Sequence, residues 1–538
     1  MQAVSFRRLS ALCAVALSLA ALAALPAAAA ATSSPEEIDT AVGKAVEYVR
    51  GQQDPLTGEP FGFEHGSFSS DWVATSLAAA GVSAADVHTP GHPSLQDFLF
   101  DDYTGFWGGP PTKAATDYER VTLVSHAAGL DPARLSADLN LPAQIAGTWN
   151  PLAGSFGEPS INSTVFGILA LKTAPVPAWA LAPAVSYLRG RQHDDGGWTY
   201  SAAITPAAKA EPSEPDMTGA AIAALCEAGV PAYDPSVAPA LAYLHSLLVD
   251  ATGAFHYAFG DNADATAWAV SGLNACGIDP QSAAWTTASG KTPIDHLLSL
   301  QVPSGPEAGG FGYENTSEAN LYSTQDALRA IAGGVFTAAP PARSDSSQPS
   351  VRPPAAVATG TPVPHLLAIE LAPGNVRICK VIAPDGAPLS QVLNEARTGG
   401  SFPAGCVSSF AMLDGRVVAI DGVAPAGEDE AWLLRLDRAG QVPAGEQPVG
   451  FGETISLRLG TPPAQGAALP AREGPAGPPG AIGPRGKSGA KKHRAGRRNG
   501  ARCGAHRRHS GKRRARCAAG HRHRRHGRSN TLRLPTNP

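Results

Sequence analysis

Gln192-His193-Asp194-Asp195-Gly196-Gly197-Trp198 is the stretch that decides how the N-terminal half of this 538-residue chain is read. Similar glycine and aromatic turns recur at Phe61-Gly62-Phe63, Gly105-Phe106-Trp107, Ser155-Phe156-Gly157, Gly253-Ala254-Phe255 and Gly309-Gly310-Phe311. They are spaced about 50 residues apart, a period of helical-pair arrays. Each turn is followed by a polar residue suited to a helix N-cap and then by small and apolar residues. Asn162-Ser163-Thr164, Asp216-Met217-Thr218, Asp264-Ala265-Thr266 and Ser323-Thr324 open such runs, and Asp71 and Asp117 open the first two less regularly. Gly81, Gly129, Gly229 and Gly277 close several of them, as a left-handed helix C-cap requires. A second helix precedes each turn, as at 183–191 and 237–249. Two helices alone cannot bury their apolar faces, so six such units must stack, as an open solenoid or a closed ring.

The 192–198 stretch resembles the Gln-x-x-x-Gly-x-Trp signature of the prenyltransferase and squalene-cyclase repeat family, with weaker echoes from Gln53 and Gln301. The resemblance covers residues 35–336 and implies a six-membered αα-toroid (an α6/α6 barrel) around a central cavity. Class II cyclases of that family protonate their substrate from an Asp-x-Asp-Asp motif. Here Glu214-Pro215-Asp216-Met217 stands nearest, with Asp216 in the place of the acid and Met217 departing from the pattern. Asp216 is thus the candidate catalytic residue, although it occupies the slot of Asn162 and Asp264, where capping suffices as an explanation. The protein prenyltransferases of the family bind zinc, but no Asp-x-Cys precedes a suitably placed His here, and no metal is expected. Ligand contacts are expected from Asp71, Trp107, Asp117, Asn162, Trp198, Asp216 and Asp264, and from Trp432 in the second domain. The long connection at 199–215 is placed to act as a lid.

Residues 337–363 read as an extended, mobile Pro, Ala and Ser-rich linker. From 364 to 460 alternating patterns predict strands at 365–371, 376–382, 408–420, 431–436 and 454–459, with a helix at 389–397. This small β-grasp-like α+β domain resembles the C-terminal domain of the vitamin B12 carriers, transcobalamin and intrinsic factor. The shared features are Leu389-Ser390-Gln391-Val392-Leu393, the turn Ile420-Asp421-Gly422, and the strand at Trp432. Those carriers also place a helical toroid before this domain, which implies a corrinoid as ligand.

The termini speak to location. Arg7 and Arg8, the apolar run at 9–25 and small residues before 32 read as an export signal over 1–31. No later run is long and apolar enough for a membrane helix. The expected product is therefore secreted or associated with the cell envelope. Of the 42 Lys and Arg residues, 19 lie from Arg485 onward, where no Asp or Glu occurs. An acidic body thus precedes a basic tail, disordered by composition, that suits anionic envelope polymers. Five Gly-x-y triplets from Gly474 read as a spacer between the two. Cys379 with Cys406 and Cys503 with Cys517 are plausible disulfides; Cys226 and Cys276 are free thiols or a further pair. The function expected is non-catalytic capture of a small ligand between toroid mouth and β domain. A terpenoid-cyclase-type enzyme and an adhesive envelope protein are the alternatives.

Overall fold

The computed structural model describes residues 32–60, 70–106, 114–158, 160–344, 354–437 and 440–463. The signal at 1–31, the turn Phe61-Gly62-Phe63, Trp107, the triplet spacer, Cys503, Cys517 and the basic tail lie outside the described residues.

A helical part comes first. Its helices are α1 (Pro35–Gly51), α2 (Val73–Ala79), α3 (Leu95–Phe106), α4 (Ala115–Ala127), α5 (Leu141–Gly147), α6 (Ile161–Thr173), α7 (Ala178–Arg191), α8 (Pro215–Glu227), α9 (Val237–Ser246), α10 (Ala263–Ala275), α11 (Pro293–Ser299) and α12 (Leu321–Ile331). The even-numbered helices pack in a cycle: α2 on α4, α4 on α6, α6 on α8, α8 on α10, α10 on α12, and α12 on α2. Odd-numbered helices pack on even ones, α1 on α12, α7 on α6, α9 on α8 and α11 on α10. Helices α6, α8 and α10 are apolar almost all round, as helices covered on every side must be, whereas α4 and α12 carry charged residues.

The recurrent turns tie one unit to the next. Gln192 Nε2 donates to Gly196 O (2.6 Å) and to Ser236 O (2.7 Å), just ahead of α9. Gln53 likewise reaches Gly58 O and Val87 O, and Gln301 reaches Gly309 O and Ala41 O on α1. That last bond joins the end of the array to its start. Gly309 has φ +92°, and a Cβ there would lie 2.4 Å from Lys44 O, so only glycine fits the contact. The threonine in the fourth position of an even helix receives the aromatic residue of its turn. Thr218 Oγ1 accepts Trp198 N–H at 3.0 Å, and Thr324 Oγ1 accepts Phe311 N–H at 2.8 Å.

Two expectations change in this part. Helix α7 begins at Ala178, not at residue 183; Ala180 and Leu181 are buried, and their packing carries Pro183 inside the helix. The start of the linker is packed rather than free. Phe336 is buried, Ala338 lies against Ala78 and Ala127, and Asp86 accepts the Ser344 N–H. Small residues that read as linker composition also fit closely between helix ends.

Within α4, Glu119 is fully buried, and neither carboxyl oxygen has a hydrogen-bond partner. Burial raises its pKa well above the ordinary 4.5. The folded chain therefore holds this proton more tightly than the unfolded one. Below pH 4.5 the group costs little, and stability falls as pH rises from there toward the folded-state pKa. Glu119→Gln removes the cost of holding that proton and is expected to raise unfolding free energy by about 1–3 kcal/mol near neutral pH, at roughly 1.4 kcal/mol per tenfold difference in proton affinity. The gain should vanish in acid, as urea unfolding at two pH values would show.

A short antiparallel pair, β1 (Trp149–Asn150) with β2 (Ser155–Phe156), sits in the third turn. The sheet-rich part contains β3 (Pro362–Ala372), β4 (Asn375–Pro384), β5 (Ala387–Pro388), α13 (Leu389–Thr398), β6 (Ser401–Phe402), β7 (Phe410–Leu413), β8 (Arg416–Ile420), β9 (Ala431–Leu436), β10 (Val442–Pro443), β11 (Pro448–Val449) and β12 (Thr454–Gly460). Its main sheet runs β10-β9-β12-β3-β4-β6, with β12 parallel to β3 and the other pairs antiparallel. Alternation along the strands sends side chains to opposite faces. Leu367, Ile369, Cys379 and Val381 pack with Leu389, Val392 and Leu393 of α13. Leu366, Ala368, Val376 and Ile378 join the apolar cluster of the helices. Asn140 donates to Pro364 O, Lys380 to Gln144 Oε1 and Arg134 to Phe451 O across this contact. Cys226–Cys276 and Cys379–Cys406 are disulfides. No described helix is long and apolar enough to cross a membrane.

Candidate functional site

The even helices α6, α8, α10 and α12 open at one end of the cycle. Tyr200 O accepts the Ile161 N–H at the start of α6, and Tyr313 O accepts the Ala263 N–H at the start of α10. Side-chain caps here are Ser160, Asn262 and Asn320, each accepting the N–H of the third helical residue. Asn162, Asp216 and Asp264 stand two places further on, in the second helical position. For Asn162 and Asp264 the expected capping role is corrected, because Ser160 and Asn262 cap α6 and α10; in α8 Glu214 at the N-cap makes no side-chain cap bond, and Asp216 itself accepts the free Met217 N–H. Asp264 is thus not engaged in capping, although it sits near the favourable helix N-terminus.

Asp216 Oδ1 accepts only the adjacent Met217 N–H, at 2.7 Å, and burial raises its pKa. Asp264 Oδ1 is buried without a partner. Burial, and after it the charge of Asp326, push the Asp264 carboxyl upward. Glu214, which accepts the Tyr200 N–H at 3.0 Å, is raised mainly by burial. Asp326, on α12, is held from both sides. Trp268 Nε1 donates to Oδ2 at 2.9 Å, and Arg329 Nη2 donates to Oδ1 at 2.7 Å. Tyr257 is pushed up to about 12, by burial first and then by the charges of Asp216 and Glu214. Tyr200, Phe259, Tyr313 and Tyr322 leave aromatic surface exposed.

Below this mouth the axis is filled. Trp72 comes from the 3-10 turn ahead of α2, and Phe166 and Trp268 from the middle of α6 and α10; these are alternate members of the cycle, so contact between them has to cross its middle. Trp72 lies 5.7 Å from Phe166, and Phe166 lies 5.6 Å from Trp268, centroid to centroid. Phe336, from the segment after α12, closes the group at 5.4 Å from both Phe166 and Trp268. These are edge-to-face spacings of a packed aromatic cluster. Trp72 and Trp268 remain half-buried, so the cluster forms a floor rather than an open lumen.

The other expected ligand residues are placed elsewhere. Asp71 is fully buried and accepts from Arg120 Nη1 (2.8 Å) and Tyr103 Oη (2.7 Å). Asp117 accepts the Ala114 N–H at the start of α4. Trp198 has no exposed surface and donates Nε1–H to Leu188 O; Trp432 is buried in the sheet-rich core. Both tryptophans pack the interior instead of lining a site. Of the expected set, Asn162, Asp216 and Asp264 share the position at the mouth. Asp326, Arg329, Phe166 and Phe336 were missed. A signal for two of them existed: Asp326 and Arg329 are charges three apart inside a helix otherwise built to be buried. Cys226 and Cys276 are bonded to each other, which removes them as zinc ligands. Among the described residues no His, Cys, Asp and Glu group is arranged to hold a metal ion.

No protein-family model matches the chain, and no curated protein does. Solved structures similar to it include haptocorrin in complex with Cbi, at 12% identity and a TM-score of 0.31, covering 80% of this chain and 100% of that one. The type II terpene cyclase MstE from Scytonema is similar at 17% identity and a TM-score of 0.39, covering 55% of this chain and 98% of that one. For ent-copalyl diphosphate synthase from Streptomyces platensis the values are 19% and 0.35, with 50% of each chain covered. Members of both groups that the sequence resembles are thus among the solved structures similar to the chain.

Proposed function

We propose that the helical part is a six-membered αα-toroid and that the protein is an exported, non-catalytic binder of a small ligand held over the toroid mouth. One observation carries this reading: the axis is occupied by Trp72, Phe166, Trp268 and Phe336, which leaves the mouth as the receiving surface. The mouth combines half-buried Trp268 with carboxylates of Asp216, Asp264 and Asp326. Arg329, its one buried cation among the described residues, is committed to Asp326. Such a surface accepts N–H donors and stacks on planar groups, and it repels anions such as diphosphates. A corrinoid, a broad macrocycle rimmed with amide donors, matches that chemistry. The pairing of toroid and β-grasp-like domain supports the same ligand.

Absorbance titration with cobalamin tests the reading. Saturable binding is expected, weakened at least about tenfold, or roughly 1.4 kcal/mol, in Trp268→Ala. No saturable change up to about 100 µM would exclude a corrinoid. The raised Asp264 carboxyl beside an aromatic floor favours a second reading, proton transfer to an alkene. In the same experiment a neutral polyprenyl substrate is incubated with the protein. A cyclised product lost in Asp264→Asn would replace binding by catalysis.

A further inference from the structure

We propose that Arg329 couples the mouth to the segment 333–344, so that a donor arriving at Asp326 loosens the start of the connection to the sheet-rich part. The proposal rests on the reading of the mouth as a ligand site. Arg329 is fully buried, and its guanidinium has three partners. Nη2 donates to Asp326 Oδ1, Nε donates to Ser271 Oγ at 3.3 Å, and the group lies 4.3 Å from the centroid of the Phe336 ring. One cation therefore neutralises a carboxylate of the mouth and covers the aromatic ring that fills the axis from the other side.

The segment depends on that ring. Phe336 is the one aromatic side chain between 332 and 344, a stretch otherwise made largely of Ala, Gly and Pro. Its other fixed points lie mainly at its start and at its end, where Asp86 also pairs with Arg343. Gly334 N–H donates to Arg329 O at 2.9 Å, Asn274 Nδ2 donates to Gly334 O at 3.1 Å, and Asp86 accepts from Ser344. Ala338 contributes a small apolar contact.

A buried guanidinium is tolerable only while its carboxylate partner stays charged and close. A ligand that donates to Asp326 competes for the same oxygens and weakens the pair. Arg329 then gains by turning toward water, which uncovers the Phe336 face and removes a cation–π contact. Loss of that contact removes the segment's one aromatic anchor, while Asp86 goes on holding its far end through Ser344 and Arg343. The coupling needs no displacement of a helix, because Asp326 and Arg329 are one turn apart on α12.

Hydrogen exchange read peptide by peptide tests this on the full chain. Asp326→Asn and Arg329→Met are each expected to speed exchange across 333–344 at least about tenfold, with α6 and α8 unchanged. Phe336→Leu, which keeps an apolar filler but not the ring face, should give the same local pattern more weakly. Unchanged exchange at 333–344 in Asp326→Asn overturns the coupling, and so does an equal acceleration in α6 and α8, which marks a merely structural pair. The variants are read without ligand. A protein that binds no cobalamin yet shows the local response loses the corrinoid reading and keeps the coupling.

Discussion

Asp71→Ala is expected to lower the unfolding free energy by about 3–5 kcal/mol, the range for breaking a buried ion pair from one side. Asp71 has no exposed surface, and the Arg120 side chain is 10% exposed. Removing the carboxylate leaves the guanidinium and the Tyr103 hydroxyl without their shared acceptor. The three residues lie in the 3-10 turn ahead of α2, in α3 and in α4, so one carboxylate holds together the first two units. Helix α2 has only seven residues, the shortest in the cycle of even helices, and offers the least apolar surface to its neighbours. Urea unfolding should show a lower midpoint with an unchanged m-value. Asp71→Leu combined with Arg120→Met should recover much of the loss, because a packed apolar pair replaces the charges without leaving one stranded. An Asp71→Ala protein as stable as the parent, or one that keeps its stability while losing ligand binding, would return Asp71 to the ligand site.

The turns and the period were legible because each repeat needs the same local chemistry. Gln192, Gln53 and Gln301 reach main-chain oxygens of the following unit, and Gly58, Gly196, Gly253 and Gly309 approach that unit too closely for a side chain. Such demands leave a residue pattern. The roles of the aspartates were not legible, because the second helical position and the N-cap are two residues apart and sequence alone does not fix where a helix begins. Ser160 and Asn262 take the caps of α6 and α10, so Asn162 and Asp264 are not explained by capping, whereas Asp216 does accept a free N–H of α8. Trp198 and Trp432 illustrate another limit: a tryptophan reads equally as wall or core, and only its burial decides. The filled axis was hidden for a geometric reason. Trp72, Phe166, Trp268 and Phe336 are far apart in sequence, and their meeting depends on closure of the whole cycle. In the sheet-rich part the alternation placed four strands, but 408–420, expected as one strand, is a hairpin of β7 and β8 that turns at Asp414-Gly415. Alternation could not show that one face of β3 and β4 is covered by helices, since both faces of those strands are apolar.

Loss of the Cys226–Cys276 bond is expected to lower stability by about 4 kcal/mol on the loop-entropy account. The two cysteines are 50 residues apart, one repeat, and occupy the same end of α8 and α10. The helices they join already meet backbone to backbone. A Cβ on Gly219 would lie 2.5 Å from Ala269 Cα, and one on Gly272 would lie 2.4 Å from Gly219 O. The native contact is thus set by the glycines, and the bond adds little to it. Its main effect falls on the unfolded chain, where it closes a long loop. A Cys226→Ala, Cys276→Ala protein should therefore keep the parent's unfolding rate and refold more slowly, with the midpoint shifted accordingly. Faster unfolding with an unchanged folding rate would place the effect in the native state instead, where α8 and α10 would then need the bond to stay together. Cys379–Cys406 closes a 27-residue separation and should cost somewhat less when removed. Because the two bonds sit in different apolar clusters, their effects should add.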